Sequence, residues 1–419
     1  MADKPSMVDK VPTQLDEEEL KAEMDVEIPE GMDINEIPDN VEIVEEEDGS
    51  VVVDFDPREN KGMDGDFYAN LAEDMSDEEL GRLSGELTGE FEENKSSRQE
   101  WEDAFANGLE LLGFSYEERS QPFRGASGVT HPLLAESATQ FQAQAFNELL
   151  PPGGPVRTLV MGTSTPEKED QAQRVKEFMN YYITSVMEEY TPEFDQMLFY
   201  LPLAGSTFKK VYYDENLDRA VSKFIPAEDL VVPYSTSDLE TCPNITHVVK
   251  MSLNDLRKRQ LSGFYRDIPV IPAQGETSSV KEELERIDGM YPSNVDYDCT
   301  LLECHVDLDL EGFEEEDEEG EATGIKVPYV VTISQDNGQV LSIRRNYKED
   351  DEKKKKIQYF VHYKFLPGFG FYGLGLIHTI GGLSRTATAA LRQLIDAGTL
   401  SNLPAGFKAR GLRIRDDDE

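Results

Sequence analysis

The sequence predicts an α+β protein: a helical N-terminal half to the folded body, then a mainly antiparallel β region, then a packed helix. Three observations predict it. Between Trp101 and Leu201, apolar residues recur every three or four positions, the spacing of amphipathic helices. From Ser206 the period changes to two, the spacing of half-buried strands. After Leu366, a glycine run opens a segment crowded with small residues, again at helical spacing. Helices, strands and a final helix in separate blocks give α+β rather than alternating α/β.

The chain has 419 residues, of which 85 are acidic and 40 basic, a formal net charge of −45. Its hydrophobic content of 38% is below the roughly 45–50% of globular chains, so part of it is expected not to fold. Residues 1–65 read as an acidic disordered tail with scattered Pro and Gly. One hairpin is expected there, Val41–Val44 and Val51–Phe55 around Asp48-Gly49. Residues 66–113 form an acidic helical lead-in. In it, Ser76 and Glu79 have capping-box spacing, and Trp101, Phe105, Leu109 and Leu112 fall on one face. The body is expected to start near Trp101.

Residues 114–205 read as helical. A helix from Pro132 to Leu150 carries Leu134, Ala138, Phe141, Ala145 and Leu149 as a buried stripe, and Pro151–Pro155 ends it. Val156–Met161 reads as a strand. Thr165-Pro166-Glu167 supplies an N-cap, a first-turn proline and first-turn acid for the next helix. Ala172, Val175, Phe178, Tyr182, Val186 and Tyr190 form its apolar face. Thr191-Pro192-Glu193 repeats the signal for a third helix with Phe194, Met197, Leu198 and Leu201, so a helical hairpin is expected.

Residues 206–366 read as antiparallel β. Phe208–Asp214 and Arg219–Ile225 make one hairpin, and Asp229–Val232 and Thr246–Met251 are short strands. Ser252 and Asp255 start a short helix ending near Gly263, and Ala273–Gly289 reads as a polar loop and then a helix. Thr300–Leu310 is a strand, Glu314–Glu319 a solvated acidic loop, and Val327–Ser334 with Val340–Asn346 a hairpin around Asn337-Gly338. Glu349–Lys356 is a charged turn before a strand at Ile357–Phe365.

Residues 367–419 comprise the glycine-rich turn and the small-residue helix. Leu376, Ile380, Leu383, Ala387, Leu391, Leu394 and Ile395 are its expected apolar face, and Gly398 its C′ residue. Gly381, Gly382, Ser384, Ala387 and Ala390 admit close backbone approach.

Composition excludes several function classes. A pI near 4.4 argues against clamping nucleic-acid phosphates. Three cysteines, Cys242, Cys299 and Cys304, are too few for a disulfide framework and point to a reducing compartment. The N-terminus lacks a signal-peptide apolar core, and no apolar run reaches the ~20 residues of a membrane span. For chemistry, Cys299, Cys304 and His305 form one ligand-like group without a matching second pair. His131, His362 and His378 are candidate bases, each more readily a structural histidine. Gly368–Gly375 lacks the Lys-Ser/Thr of a phosphate loop. Lys408, Arg410, Arg413 and Arg415 form a local basic patch, with the acidic run Asp416–Glu419 behind it. No residue is assigned a catalytic, cofactor-binding or metal-binding role, and the chain reads as no enzyme.

Three blocks resemble the portal proteins of tailed bacteriophages, particularly the short-tailed type: Tyr116–Thr158, Leu201–Glu240 and Tyr359–Gly406. They occur in the family's order across most of Trp101–Gly411. The resemblance implies a portal-like wing region in a ring homo-oligomer, typically a dodecamer, at one capsid vertex. In the family, such a ring is assembled in the host cytoplasm and carried in the virion. The implied partners are the large terminase subunit, major capsid and scaffold proteins, a head–tail adaptor, and double-stranded DNA passing through the channel, with no membrane. The stem and clip that follow in the family are expected after Gly406, so the chain reads as the N-terminal part of such a protein. Two alternatives remain: a metal-dependent hydrolase using Asp/Glu and His305 or His378, or another head–tail connector component.

Overall fold

The computed structural model of the chain describes residues 42–45, 51–54, 67–114, 119–214, 217–270, 279–287, 298–314, 323–351 and 353–402. The chain divides into two units, Met1–Asp64 and Gly65–Glu419. In the first, β1 (Glu42–Glu45) pairs antiparallel with β2 (Val51–Asp54), with Val44 opposite Val52. This is the expected hairpin; the rest of the acidic tail lies outside the described residues.

The second unit starts with α1 (Asp77–Ser97), α2 (Gln99–Leu109), α3 (Leu133–Leu149), α4 (Pro166–Tyr181) and α5 (Tyr190–Ala204). There follow β3 (Ser206–Asp214), β4 (Arg219–Pro226), β5 (Leu230–Val231), β6 (Asn244–Ser252), α6 (Leu253–Leu261), α7 (Ser279–Ile287) and β7 (Asp298–Leu308). β8 (Val327–Ser334), β9 (Val340–Arg345), β10 (Phe360–Lys364) and α8 (Leu376–Asn402) complete it. The protein is thus α+β, as expected. Every described strand pairing is antiparallel: β5-β6-β7-β8-β9 in one sheet and β10-β3-β4 in another.

The body begins well before Trp101. Ser76 caps α1 in a full capping box with Glu79. Leu80, Leu83, Leu87 and Phe91, at helical spacing, bury against Leu302, Cys304, Val331, Ile333 and Ile343 of the five-stranded sheet. The acids of α1 occupy its outer face, so average acidity conceals an anchored helix. A second core joins Trp101, Phe105 and Leu109 of α2 to Leu134, Phe208, Phe360, Phe371, Tyr372 and Ile377. On the side of β7 away from α1, Cys299 and Leu301 pack with Leu256 of α6 and Tyr265.

Four local expectations need correction. Val156–Met161 is extended but joins no described sheet, and Leu159 and Met161 are each 88% exposed. Asn180 holds this segment instead, exchanging hydrogen bonds with the Val156 N–H (2.8 Å) and C=O (3.2 Å). Side-chain partners have replaced strand partners. Second, α5 begins at Tyr190, one residue before Thr191, and a π-helical turn at Tyr182–Val186 follows α4. α5 packs on α3 rather than forming the expected hairpin with α4. Third, in α3 Leu134 and Ala138 are buried and Phe141 and Ala145 pack against Phe194 and Met197, but Leu149 is exposed. Fourth, Gly398 does not end α8, which runs on to Asn402.

The buried face of α8 also differs. Ile377, Gly381, Ser384, Thr388 and Asp396 face the body, whereas Leu383, Leu394 and Leu400 are exposed. α2, α3 and α5 are its helical neighbours. Gly381 faces Leu111, to whose Cδ1 an added Cβ would make an ordinary contact at 3.6 Å.

Candidate functional site

The residues singled out for chemistry do not converge. On β7, Cys304 points to the opposite side from Cys299 and His305, because neighbours along a strand alternate. Burial pushes the Cys304 thiol up to about 12, and Thr246 Oγ1 donates to its sulfur at 3.7 Å. No group of three or more metal-ligating side chains occurs among the described residues. His305 Nε2 is 2.7 Å from Glu303, whose carboxylate also accepts from Lys210 Nζ at 2.7 Å. Burial opposes the Glu303 charge, but Lys210 and His305 together hold its carboxyl well below the usual range. Burial keeps His305 itself low. This trio ties β7 to β3 across the interior.

The remaining histidines are dispersed. The backbone N–H of His131 donates to Thr388 Oγ1 at 3.1 Å, linking the start of α3 to α8. His362 stacks on Phe208 and Phe371, with Nε2 3.1 Å from Ser206 Oγ, and burial lowers it to about 3. His378 Nδ1 accepts the Gly375 N–H at 3.1 Å, and burial lowers its pKa as well. The rings of His362 and His378 are occupied in packing against aromatics or holding backbone.

The glycine run Gly368–Gly375 is a backbone seam. A Cβ on Gly375 would sit 2.0 Å from the Leu203 carbonyl oxygen, and one on Gly373 2.4 Å from that of Gly205. A Cβ on Gly205, which has φ +87°, would in turn sit 2.4 Å from the Gly375 nitrogen. Two chain segments therefore touch where only glycine fits. The Gly373 N–H also donates to the buried Ser206 hydroxyl at 2.7 Å. Beside the seam lies Arg98, wholly buried at the junction of α1 and α2. It donates to the carbonyls of Ala227 (2.9 Å), Leu230 (2.9 Å) and Glu228 (2.6 Å) and to the Tyr372 hydroxyl (3.0 Å). Glu102 lies 3.6 Å from its Nε. Sequence reasoning missed Arg98; three of its partners are main-chain carbonyls, which leave no motif.

What remains unaccounted for is surface. α4 buries no residue, and Val175, Phe178, Met179 and Tyr181 are exposed beside Leu159 and Met161 of the preceding segment. α8 presents Leu383, Leu394 and Leu400. Single exposed apolar side chains are ordinary, but whole uncovered helix faces mark interaction surfaces. The basic group Lys408–Arg415 lies outside the described residues. No described helix is long and apolar enough to cross a membrane. The chain matches no protein-family model and no curated protein.

Proposed function

We propose that this chain is a subunit of a phage portal ring, acting in assembly and passage of DNA rather than in catalysis. Its portal-like wing would be the α+β body described above. The observation that carries the reading is the pair of uncovered apolar faces on α4 and α8. They differ from one another, so contact between α4 of one copy and α8 of the next is heterologous. Repeated heterologous contacts close into rings when the rotation allows. The three sequence blocks that resemble portal proteins support the same reading, and they bring with them the partners expected of such a ring. These are terminase, capsid and scaffold proteins, a head–tail adaptor and double-stranded DNA, at a capsid vertex of the virion.

Electron microscopy of the purified chain tests this, with rings the expected outcome. Phe178→Glu or Leu394→Glu should each abolish rings while leaving circular dichroism unchanged. A mixture of the two variants should stop at dimers, because only one competent interface remains. Monomers at every concentration and salt would overturn the reading.

A further inference from the structure

The main-chain groups along a sheet edge pair readily with another strand, so proteins blunt their edges. In the two sheets of the second unit, three of the four edges are blunted. On β4, the outward N–H groups of Ala220, Ser222 and Phe224 donate to the Tyr182 hydroxyl and to the Glu189 and Glu193 carboxylates. On β9, the Asn70 side chain bonds the Leu341 C=O (3.1 Å) and the Ile343 N–H (2.9 Å). β5 has only 2 residues. β10 is the exception. The Val211 N–H donates to the Tyr359 C=O, so the odd-numbered residues of β10 turn their main-chain groups to β3. Phe360, His362 and Lys364 turn theirs outward, where they meet no partner among the described residues. Beside them, Val361 is 46% exposed, and Val211, its diagonal neighbour on the same face, 44%.

The same chain carries a strand without a sheet. In Val156–Met161, Val156 turns its N–H and C=O to Asn180, and Thr158 Oγ1 donates to the Ala172 carbonyl of α4 at 3.0 Å. Main-chain groups alternate in direction along an extended segment, so Arg157, Leu159 and Met161 turn theirs the other way. These too meet no partner among the described residues, and all three side chains are exposed.

We propose that Val156–Met161 of one copy adds as a parallel strand to the β10 edge of the next. The direction follows from the two patterns. In a parallel pair, a residue that turns its groups to the partner strand sits opposite one that turns its groups away. Leu159 then lies opposite Val361 and Met161 opposite Tyr363. The Leu159 N–H and C=O bond the main chain of Phe360 and His362. An antiparallel strand using the same groups would put Leu159 on the face of Phe360 and His362 and leave Val361 uncovered. The occupant is a second copy because one chain supplies both unmatched halves, which are of similar length. Each half also adjoins a face of the proposed ring contact: the segment lies on α4, and β10 leads through the glycine seam to α8. The inference rests on that contact and adds main-chain bonds to it. Alone, so short a strand pair would not hold two copies together.

Thiol cross-linking of the full chain tests the inference. Cys242, Cys299 and Cys304 are buried, so Leu159→Cys and Val361→Cys each introduce an exposed thiol. Mixed and mildly oxidised, the two variants should form covalent dimers of unlike copies, and neither variant alone should link. Leu159→Pro removes an N–H that has no partner within its own copy. It should leave the melting temperature unchanged and raise the concentration needed for rings about tenfold or more. Leu159→Ala, which keeps that N–H, should lose less. Rings in the electron microscope without the unlike cross-link would overturn the strand and leave the ring reading standing. So would rings of Leu159→Pro that form as readily as those of the unchanged chain. Linking of Leu159→Cys to itself would overturn it in favour of a two-fold contact, and monomers throughout would overturn both readings.

Discussion

Arg98 shows how one side chain can hold distant parts of this body together. Its guanidinium gathers three carbonyls from the turn between β4 and β5 and stacks near Tyr372, 5.6 Å from the ring centroid. Breaking a buried charge pair costs about 3–5 kcal/mol, because the remaining groups stay buried and unpaired. Arg98→Met strands the Glu102 carboxylate and should therefore destabilise the protein by about that amount, which urea denaturation can check. A loss below about 1 kcal/mol would mean that water replaces the guanidinium. Arg98 was illegible in the sequence, where an arginine between two acidic helices reads as surface.

At the scale of elements, local rules succeeded wherever the determinants were local. The Ser76–Glu79 box, the Thr165 cap and the hairpins at β3–β4 and β8–β9 all lie where residue spacing placed them. Which face of a helix is buried depends on its neighbour, and there the reading failed for α4 and for the later turns of α8, although Leu376 and Ile380 in its first turns do pack against the core. In α8 the leucine-rich side was the natural choice. Leu111 and the adjoining helices instead take up the small side chains, leaving Leu383 and Leu394 in solvent. The two kinds of glycine near and within α8 give a sharp contrast. A Cβ added to Gly382, in the helix interior, would meet nothing within 4 Å. Gly382→Ala should stabilise by about 0.5–1 kcal/mol, the helix-propensity difference. Gly375→Ala, which drives a methyl into the Leu203 carbonyl, should destabilise severely. Thermal melts of both variants decide the matter, and similar shifts in both would refute the seam.

For the whole molecule, pH sets stability through several buried groups at once. Burial drives both His247 and His362 from an ordinary 6.5 to about 3. Their unfolded forms bind protons first, so stability is lost as pH falls from 6.5 toward 3, by up to about 1.4 kcal/mol per pH unit for each ring. Glu228 works the other way. Burial, reinforced by Asp229, raises it from 4.5 to about 7, so its contribution is complete below 4.5 and lost as pH rises through 7. Between 4.5 and 6.5 the carboxyl partly offsets the imidazoles. Below 4.5 that offset stops growing, and Glu303, held well below its ordinary value, begins to lose its own contribution. Urea midpoints should fall gently from about pH 6.5 to about pH 4.5, where one carboxyl offsets one of the two imidazoles, and fall about twice as steeply below about pH 4.5. A flat profile down to about pH 4 would contradict the burial of these groups.

The pairing of β10 with β3 bears on how the chain is made. β4 ends at Pro226 and β10 begins at Phe360, so the ribosome adds about 130 residues before the three-stranded sheet can close. At ordinary elongation rates that is on the order of ten seconds or more. Throughout that time the nascent chain carries a β-hairpin with an open edge and no partner for the seam glycine at 205. Such edges invite pairing with other chains, so the interval of synthesis between these two strands, rather than the time after release, is when the chain is most exposed to mispairing.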